Sequence, residues 1–248
     1  MPAGSDAPLR GRVVLVVGAS RGLGRAVAQG AARLGAAVGA IARSKPDLDA
    51  LRRQMEQEVG VSPLVLAADV KDPRTLESAV EETRRAYGRV DAGVYSAGVG
   101  YWERVLDMTE ERWHDTLDTN LTGAFRFTRA VLPVMLAQGR GQLVYVSSRL
   151  VAEPIGPYAA YCASKAGLRA LAEAVAKEVA PGGIRVTTIL PGLIDTGFSD
   201  VPHGRPTHER PPRELMLTAG EVAAEILHVI QTSENTWVRE LFVHPARL

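Results

Sequence analysis

One cysteine, Cys162, stands in a chain of 248 residues. A single thiol closes no internal disulfide and builds no multi-cysteine metal site, which fits a reducing compartment and leaves Cys162 as a small buried residue. Net charge is scarce too: 29 Lys and Arg against 28 Asp and Glu leave +1. Such a balance offers no basic field to nucleic acid or an anionic membrane, so a small-molecule partner is expected instead. No apolar run approaches the roughly 20 residues that span a bilayer. The opening MPAGSDAPLRGR lacks the apolar centre of a signal peptide, and a cytoplasmic location is expected. His114, His228 and His244 show no metal-ligand spacing, so no metal is expected.

What is present is apolar material, 46% of the chain, enough for one sizeable core. It comes as short runs separated by amphipathic stretches: VVLVV at 13–17, AAVGAIA at 36–42, LVLAA at 64–68, VDAGVYS at 90–96, QLVYVS at 142–147, RVTTIL at 185–190 and ELFVH at 240–244. Near-continuous hydrophobicity, rather than alternation, suits strands covered on both faces. The intervening segments read as helices, so the predicted fold is α/β, a doubly wound parallel sheet of about seven strands. Residues 1–11 are expected to be a flexible N-terminus and 12–248 a single domain. Thr109 before Glu110 and Glu111 reads as the N-cap of one long helix through Trp113, Leu117, Leu121 and Phe125. The stretch at about 193–217, rich in Pro, His and Arg, breaks the rhythm and reads as a substrate lid or loop.

The first strand ends in Gly18-Ala-Ser20-Arg21-Gly22-Leu23-Gly24, followed by a helix. Glycines there let backbone approach a phosphate, and the helix N-terminus supplies oriented N–H groups. After the second strand an NAD-type site wants an acid for the ribose 2′-hydroxyl. This chain has Arg43 there instead, and with Arg21 it supplies two donors for a 2′-phosphate, which favours NADP(H). Asp69 reads as a strand-end cap or as an acceptor for the adenine amino group.

In YAAYCASKAG, Tyr161 and Lys165 are four residues apart and share a helix face, whereas Tyr158 lies seven residues before the lysine. An ammonium beside a phenol favours phenolate. Ser148, thirteen residues earlier at a strand end, can donate a hydrogen bond to a carbonyl oxygen.

GASRGLG at 18–24, Asp69-Val70, the AG of Ala97-Gly98, Asn120, Ser148, the Tyr161-x-x-x-Lys165 pair and PGLIDT from Pro191 to Thr196 occur in that order. The chain thereby resembles the short-chain dehydrogenase/reductase family, from Arg12 to about Pro245. The resemblance implies a Rossmann-type fold and an NADP(H)-dependent oxidoreductase that reduces a ketone or aldehyde reversibly. It implies that Tyr161 is general acid and base, that Lys165 binds the nicotinamide ribose and depresses the tyrosine pKa, and that Ser148 holds the substrate oxygen. Asn120 would fix a water leading from Lys165 to solvent. Thr196 would bind the nicotinamide carboxamide or the diphosphate, within a cofactor stretch that includes Pro191, Gly192 and Ile194. Leu150, Pro154, Tyr158 and Leu193 are expected around the substrate.

Two departures stand out. Tyr95-Ser96 replaces the family's usual NN before AG, which would bring Tyr95 near the adenosine, and ELFVHPARL replaces its frequent C-terminal DGG. A homodimer or homotetramer is expected through helices around 109–137 and 158–180, where Leu168, Leu171, Val175 and Val179 suit a core or a partner face. The competing reading is an NADP(H)-binding regulator or scaffold without turnover. His203, Arg205, His208 and Arg210 are expected on a solvated lid; facing the pocket, they would favour an anionic or polar substrate.

Overall fold

The computed structural model describes residues 7–200 and 203–246. Apolar runs become strands and amphipathic stretches become helices, alternating along most of the chain. The order is β1 (Val13–Val17), α1 (Gly22–Arg33), β2 (Ala37–Ala42), α2 (Lys45–Val59), β3 (Leu64–Ala67), α3 (Pro73–Tyr87) and β4 (Ala92–Tyr95). Then come α4 (Glu110–Leu117), α5 (Gly123–Gln138), β5 (Gly141–Val146), α6 (Ala159–Val179), β6 (Ile184–Pro191), β7 (Ile194–Asp195), β8 (Leu217–Thr218), α7 (Ala219–Gln231) and β9 (Glu240–Val243).

Seven strands form one parallel sheet in the order β3-β2-β1-β4-β5-β6-β9, and β7 pairs with β8 outside it. Each face carries its own core. Val14 and Val16 of β1 point into a cluster with α1, α2 and α7, while Leu15 and Val17 join one with α3, α5 and α6. That two-sided burial is why VVLVV is apolar throughout. Chain direction along the sheet reverses between β1 and β4, so a crevice opens at their carboxyl ends, where an open α/β sheet binds ligands. No helix among the described residues is long and apolar enough to cross a membrane.

Four local expectations change. Residues 1–6 lie outside the described residues, but 7–11 form a packed turn rather than a flexible end: Leu9 is fully buried and its N–H donates to Leu34 O at 2.9 Å. The long helix capped by Thr109 exists, but a π-helical turn at Asp118–Thr122 divides it into α4 and α5. Such a turn admits an extra residue and re-aims side chains, here that of Asn120. Tyr95 does not approach an adenosine site. Its strand alternation turns it into the core under α5, where its hydroxyl donates to Thr119 O at 2.6 Å. Finally, Leu168, Val175 and Val179 are buried in the α6 side of the core and Leu171 packs against it, so this stripe is a core face.

The 193–217 insert also holds more structure than its composition suggests. β7 and β8 tie its two ends together in parallel register. Within it, Arg210 donates to Ser199 O at 2.6 Å and Arg205 O at 2.6 Å and pairs with Asp200, closing the strap on itself.

Candidate active site

A single elongated cavity runs along the crevice, from Arg43 and Asp69 at one end to Trp102, Ile155 and Arg205 at the other. Its first part is a cradle of backbone. Gly18 has φ +86°, and a Cβ there would lie 2.7 Å from Ala97 N, so the turns after β1 and β4 meet only because Gly18 lacks a side chain. A Cβ on Gly24 would fall 2.3 Å from Gly18 O, although Gly24 itself does not line the cavity: it lets α1 start tight against the turn. Gly24→Ala is expected to lower stability by about 1–3 kcal/mol through overpacking against backbone that cannot yield. Thermal unfolding and dinucleotide titration would both register it.

Ser20, Arg21, Gly22 and Leu23 line the cavity at the start of α1, and Thr196 closes over them, its Cβ 3.1 Å from where a Gly22 Cβ would stand. Of the two roles expected for Thr196, this position is beside the glycine turn, on the phosphate side. Arg21 and Arg43 are exposed at the rim, and neither joins an ion pair among the described residues. Asp69 serves first as the strand-end cap: Oδ1 accepts from Lys71 N at 2.9 Å, and its other oxygen remains for a ligand. Val70, Ala97 and Gly98 continue the wall, and Pro191, Gly192, Leu193 and Ile194 form the opposite side. The glycine cradle, the free helix start and the paired rim arginines fit a dinucleotide with an extra phosphate.

The reactive groups gather in the middle. Ser148, just past the carboxyl end of β5, accepts from Leu150 N at 3.2 Å, and its hydroxyl faces Tyr161 closely enough to favour the phenolate. Tyr161 and Lys165 share one face of α6, with Nζ 5.7 Å from the ring centroid. Burial pushes the Tyr161 phenol well above its ordinary pKa, the neighbouring Tyr158 adds to this, and Ser148 opposes it. Lys165 is 3% exposed, and burial lowers its pKa to about 8. The expected depression of the tyrosine pKa by Lys165 is therefore not what these side chains produce by themselves. The ammonium is turned to Val146 O, 2.8 Å away, and desolvation dominates at both groups.

Asn120 is fully buried and does not line the cavity. Its Oδ1 accepts from Val99 N at 2.8 Å, and its Nδ2 donates to Val99 O at 2.9 Å and Ser164 Oγ at 2.9 Å. Ser164 in turn donates to Tyr161 O at 2.7 Å. Asn120 thus positions the loop after β4 against the helix that carries Tyr161. Pro154 is exposed and off the cavity; the chain turns there so that Ile155 lines it in its place, beside Leu150 and Tyr158. Tyr158 stands edge-on between Trp102 and Tyr161, at 5.0 Å from each.

Several residues of the site went unread in the sequence. Ser147 donates to Lys165 O at 3.0 Å and anchors α6, and Phe198 packs edge-on to Tyr161 at 5.7 Å. Phe198 lies within the loop at 193–217 expected to cover the substrate, two residues past Thr196, but that reading did not single it out. Of the lid charges, Arg205 lines the cavity, whereas His203 meets Arg112 and Glu103, and His208 is exposed.

The parallel sheet, glycine cradle and Ser-Tyr-Lys cluster define a dinucleotide-type oxidoreductase fold. The family described as short chain dehydrogenase matches residues 12–202, and the chain belongs to the short-chain dehydrogenase/reductase family. It is 36% identical over 189 residues to the 3-oxoacyl-(acyl-carrier-protein) reductase FabG of Escherichia coli (strain K12), covering 76% of each chain. It is similar to an alcohol dehydrogenase from the archaeon Thermococcus sibiricus solved with 5-hydroxy-NADP (TM-score 0.86, 29% identity, 96% and 97% of the two chains). L-sorbose reductase from Gluconobacter frateurii, solved with NADPH and L-sorbose, gives a TM-score of 0.86 at 27% identity over 97% and 98%.

Proposed function

We propose that this protein is an NADPH-dependent reductase of a ketone or aldehyde, reversible in direction. The observation that carries this is the convergence of Ser148, Tyr161 and Lys165 on the same crevice as the glycine cradle. When bound, the nicotinamide would supply or accept the hydride. The protein holds the proton. Tyr161, kept protonated by burial, donates it to the developing alkoxide, and Ser148 orients the oxygen by hydrogen bonding. In this reading Lys165, whose Nζ lies 5.7 Å from the Tyr161 ring centroid, holds ribose hydroxyls, and Asn120 keeps the β4 loop and α6 in register. The aromatic walls exclude water from the reacting carbon.

Preference for NADPH over NADH rests on Arg21 and Arg43 at the rim, with no acid at the end of β2. Arg21→Gln and Arg43→Gln are each expected to weaken NADPH binding about tenfold, because each removes a charge-assisted contact to the 2′-phosphate, while NADH binding changes little. Fluorescence titration with both nucleotides checks this. The relatives act on an acyl thioester and on a sugar by their names, so they do not choose the substrate. The reading is tested by NADPH consumption over a panel of ketones, aldehydes, diketones and quinones. Tight NADPH binding with no turnover anywhere would instead favour the regulatory alternative. Exposed Trp113, Phe125 and Leu136 on α4 and α5 fit a homo-oligomer, to be tested by sedimentation.

A further inference from the structure

The substrate end of the cavity is lined by aromatic rings and by two arginines, of which one is already committed. Arg149 lines it but pairs with Glu153 at 3.0 Å. Arg210, in the same strap as Arg205, does not line the cavity and is held by Asp200 and by the Ser199 and Arg205 carbonyls. Arg205 differs: its guanidinium lies 4.8 Å over the Trp102 ring, it joins no ion pair among the described residues, and its Nε is buried without a hydrogen-bond partner. The acid next to Trp102, Glu103, meets Arg112 and His203 through Oε1 and forms no ion pair with Arg205, although its Oε2 is buried without a hydrogen-bond partner. A permanent cation in a pocket wall with no ion-pair partner, and with one donor already buried and unsatisfied, is costly unless a ligand reaches the rest of its guanidinium.

From this cation a column of rings leads to the reactive phenol. Arg205 stacks on Trp102, Trp102 meets Tyr158 at 5.0 Å, and Tyr158 meets Tyr161 at 5.0 Å. Phe198 covers Tyr161 from the strap at 5.7 Å. The pocket therefore presents a proton donor at one end, a fixed positive charge at the other and aromatic edges between.

Resting on the reductase reading above, we propose that the substrate is an oxo acid: its carbonyl sits at Ser148 and Tyr161, its body lies along Trp102, Tyr158 and Phe198, and its carboxylate is held by Arg205. A carboxylate suits one uncommitted guanidinium, whose planar fork matches two oxygens. A phosphate dianion would call for a second cation, and the other arginine lining this end, Arg149, is paired with Glu153. Aromatic walls favour an unsaturated or aromatic body over a polyhydroxylated one.

The test compares para-carboxybenzaldehyde with its methyl ester, and adipate semialdehyde with its methyl ester, in the wild-type protein, Arg205→Gln and Arg205→Lys. The ester keeps the shape and removes the charge. The acid-to-ester ratio of kcat/KM is expected to be at least about tenfold in the wild type, near unity in Arg205→Gln and intermediate in Arg205→Lys, as for one charge-assisted pair. Calorimetry of the para-carboxybenzaldehyde pair on the NADP⁺ complex, where no reduction occurs, reads the same ratio without turnover. A wild-type ratio near unity, or a ratio that survives in Arg205→Gln, overturns the assignment. If neither pair is reduced although NADPH binds, the reductase reading loses support, and the calorimetric ratio still decides the role of Arg205.

Discussion

Tyr161→Phe is expected to lower kcat for carbonyl reduction by about 10²–10⁴-fold, the usual contribution of a positioned general acid, while NADPH affinity stays nearly unchanged. The substitution removes one hydroxyl and keeps the ring that packs between Tyr158 and Phe198, so the cavity wall survives. Loss of turnover with retained binding would place the deficit in the chemical step. Ser148 cannot take over, because its hydroxyl sits against Leu150 N and has no base behind it to return a proton. Single-turnover mixing of enzyme, NADPH and a reducible aldehyde separates the two quantities. Residual activity within tenfold of wild type would remove Tyr161 from the acid role.

Lys165→Met is expected to abolish turnover and yet raise stability at pH 7 by about 1–3 kcal/mol. The lysine is buried, and burial lowers its pKa from 10.5 to about 8. Holding it charged in the fold therefore costs up to about 3 kcal/mol relative to the unfolded chain. The gain is trimmed because Val146 O loses its donor. The sign with pH follows. Below about 8 both states carry the proton and the full penalty applies; between about 8 and 10.5 the folded state has released it while the unfolded state keeps it. Wild-type stability should thus rise toward that of Lys165→Met as pH increases across this interval, and denaturant unfolding at several pH values measures the convergence. A variant less stable than wild type at pH 7 would show that Lys165 contributes to the fold through its contacts rather than burdening it. The pairing of lost activity with gained stability is what a functional, strained site produces.

Burial that raises one group and lowers the other has a consequence for the reaction. On the proposed reading, a phenol whose pKa burial raises is held in the form that donates a proton in reduction. Oxidation would need phenolate, which a nearby positive charge favours.

Much of this protein is set by the order of its residues alone. Two-sided strand burial requires continuous apolar runs, and alternation of such runs with helices favours a parallel sheet wound with right-handed crossovers, so the seven strands were legible at nearly their observed bounds. The GASRGLG turn and the Tyr161–Lys165 spacing are local patterns, and local patterns are what a sequence states directly. Packing decided the rest. Tyr95 is a core residue because strand register points it under α5, and Pro154 leaves the cavity because the chain turns before Ile155. Asn120 reaches Val99 and Ser164 only through a π-helical turn, which no periodicity announced. Whether Arg205 faces solvent or substrate depended on a strap closed by contacts between residues five to eleven positions apart, and on a tryptophan more than a hundred positions away in the chain. Such pairings arise from the tertiary fold, because a charged residue's fate depends on which partners reach it first, and that is a matter of distance in space rather than along the chain.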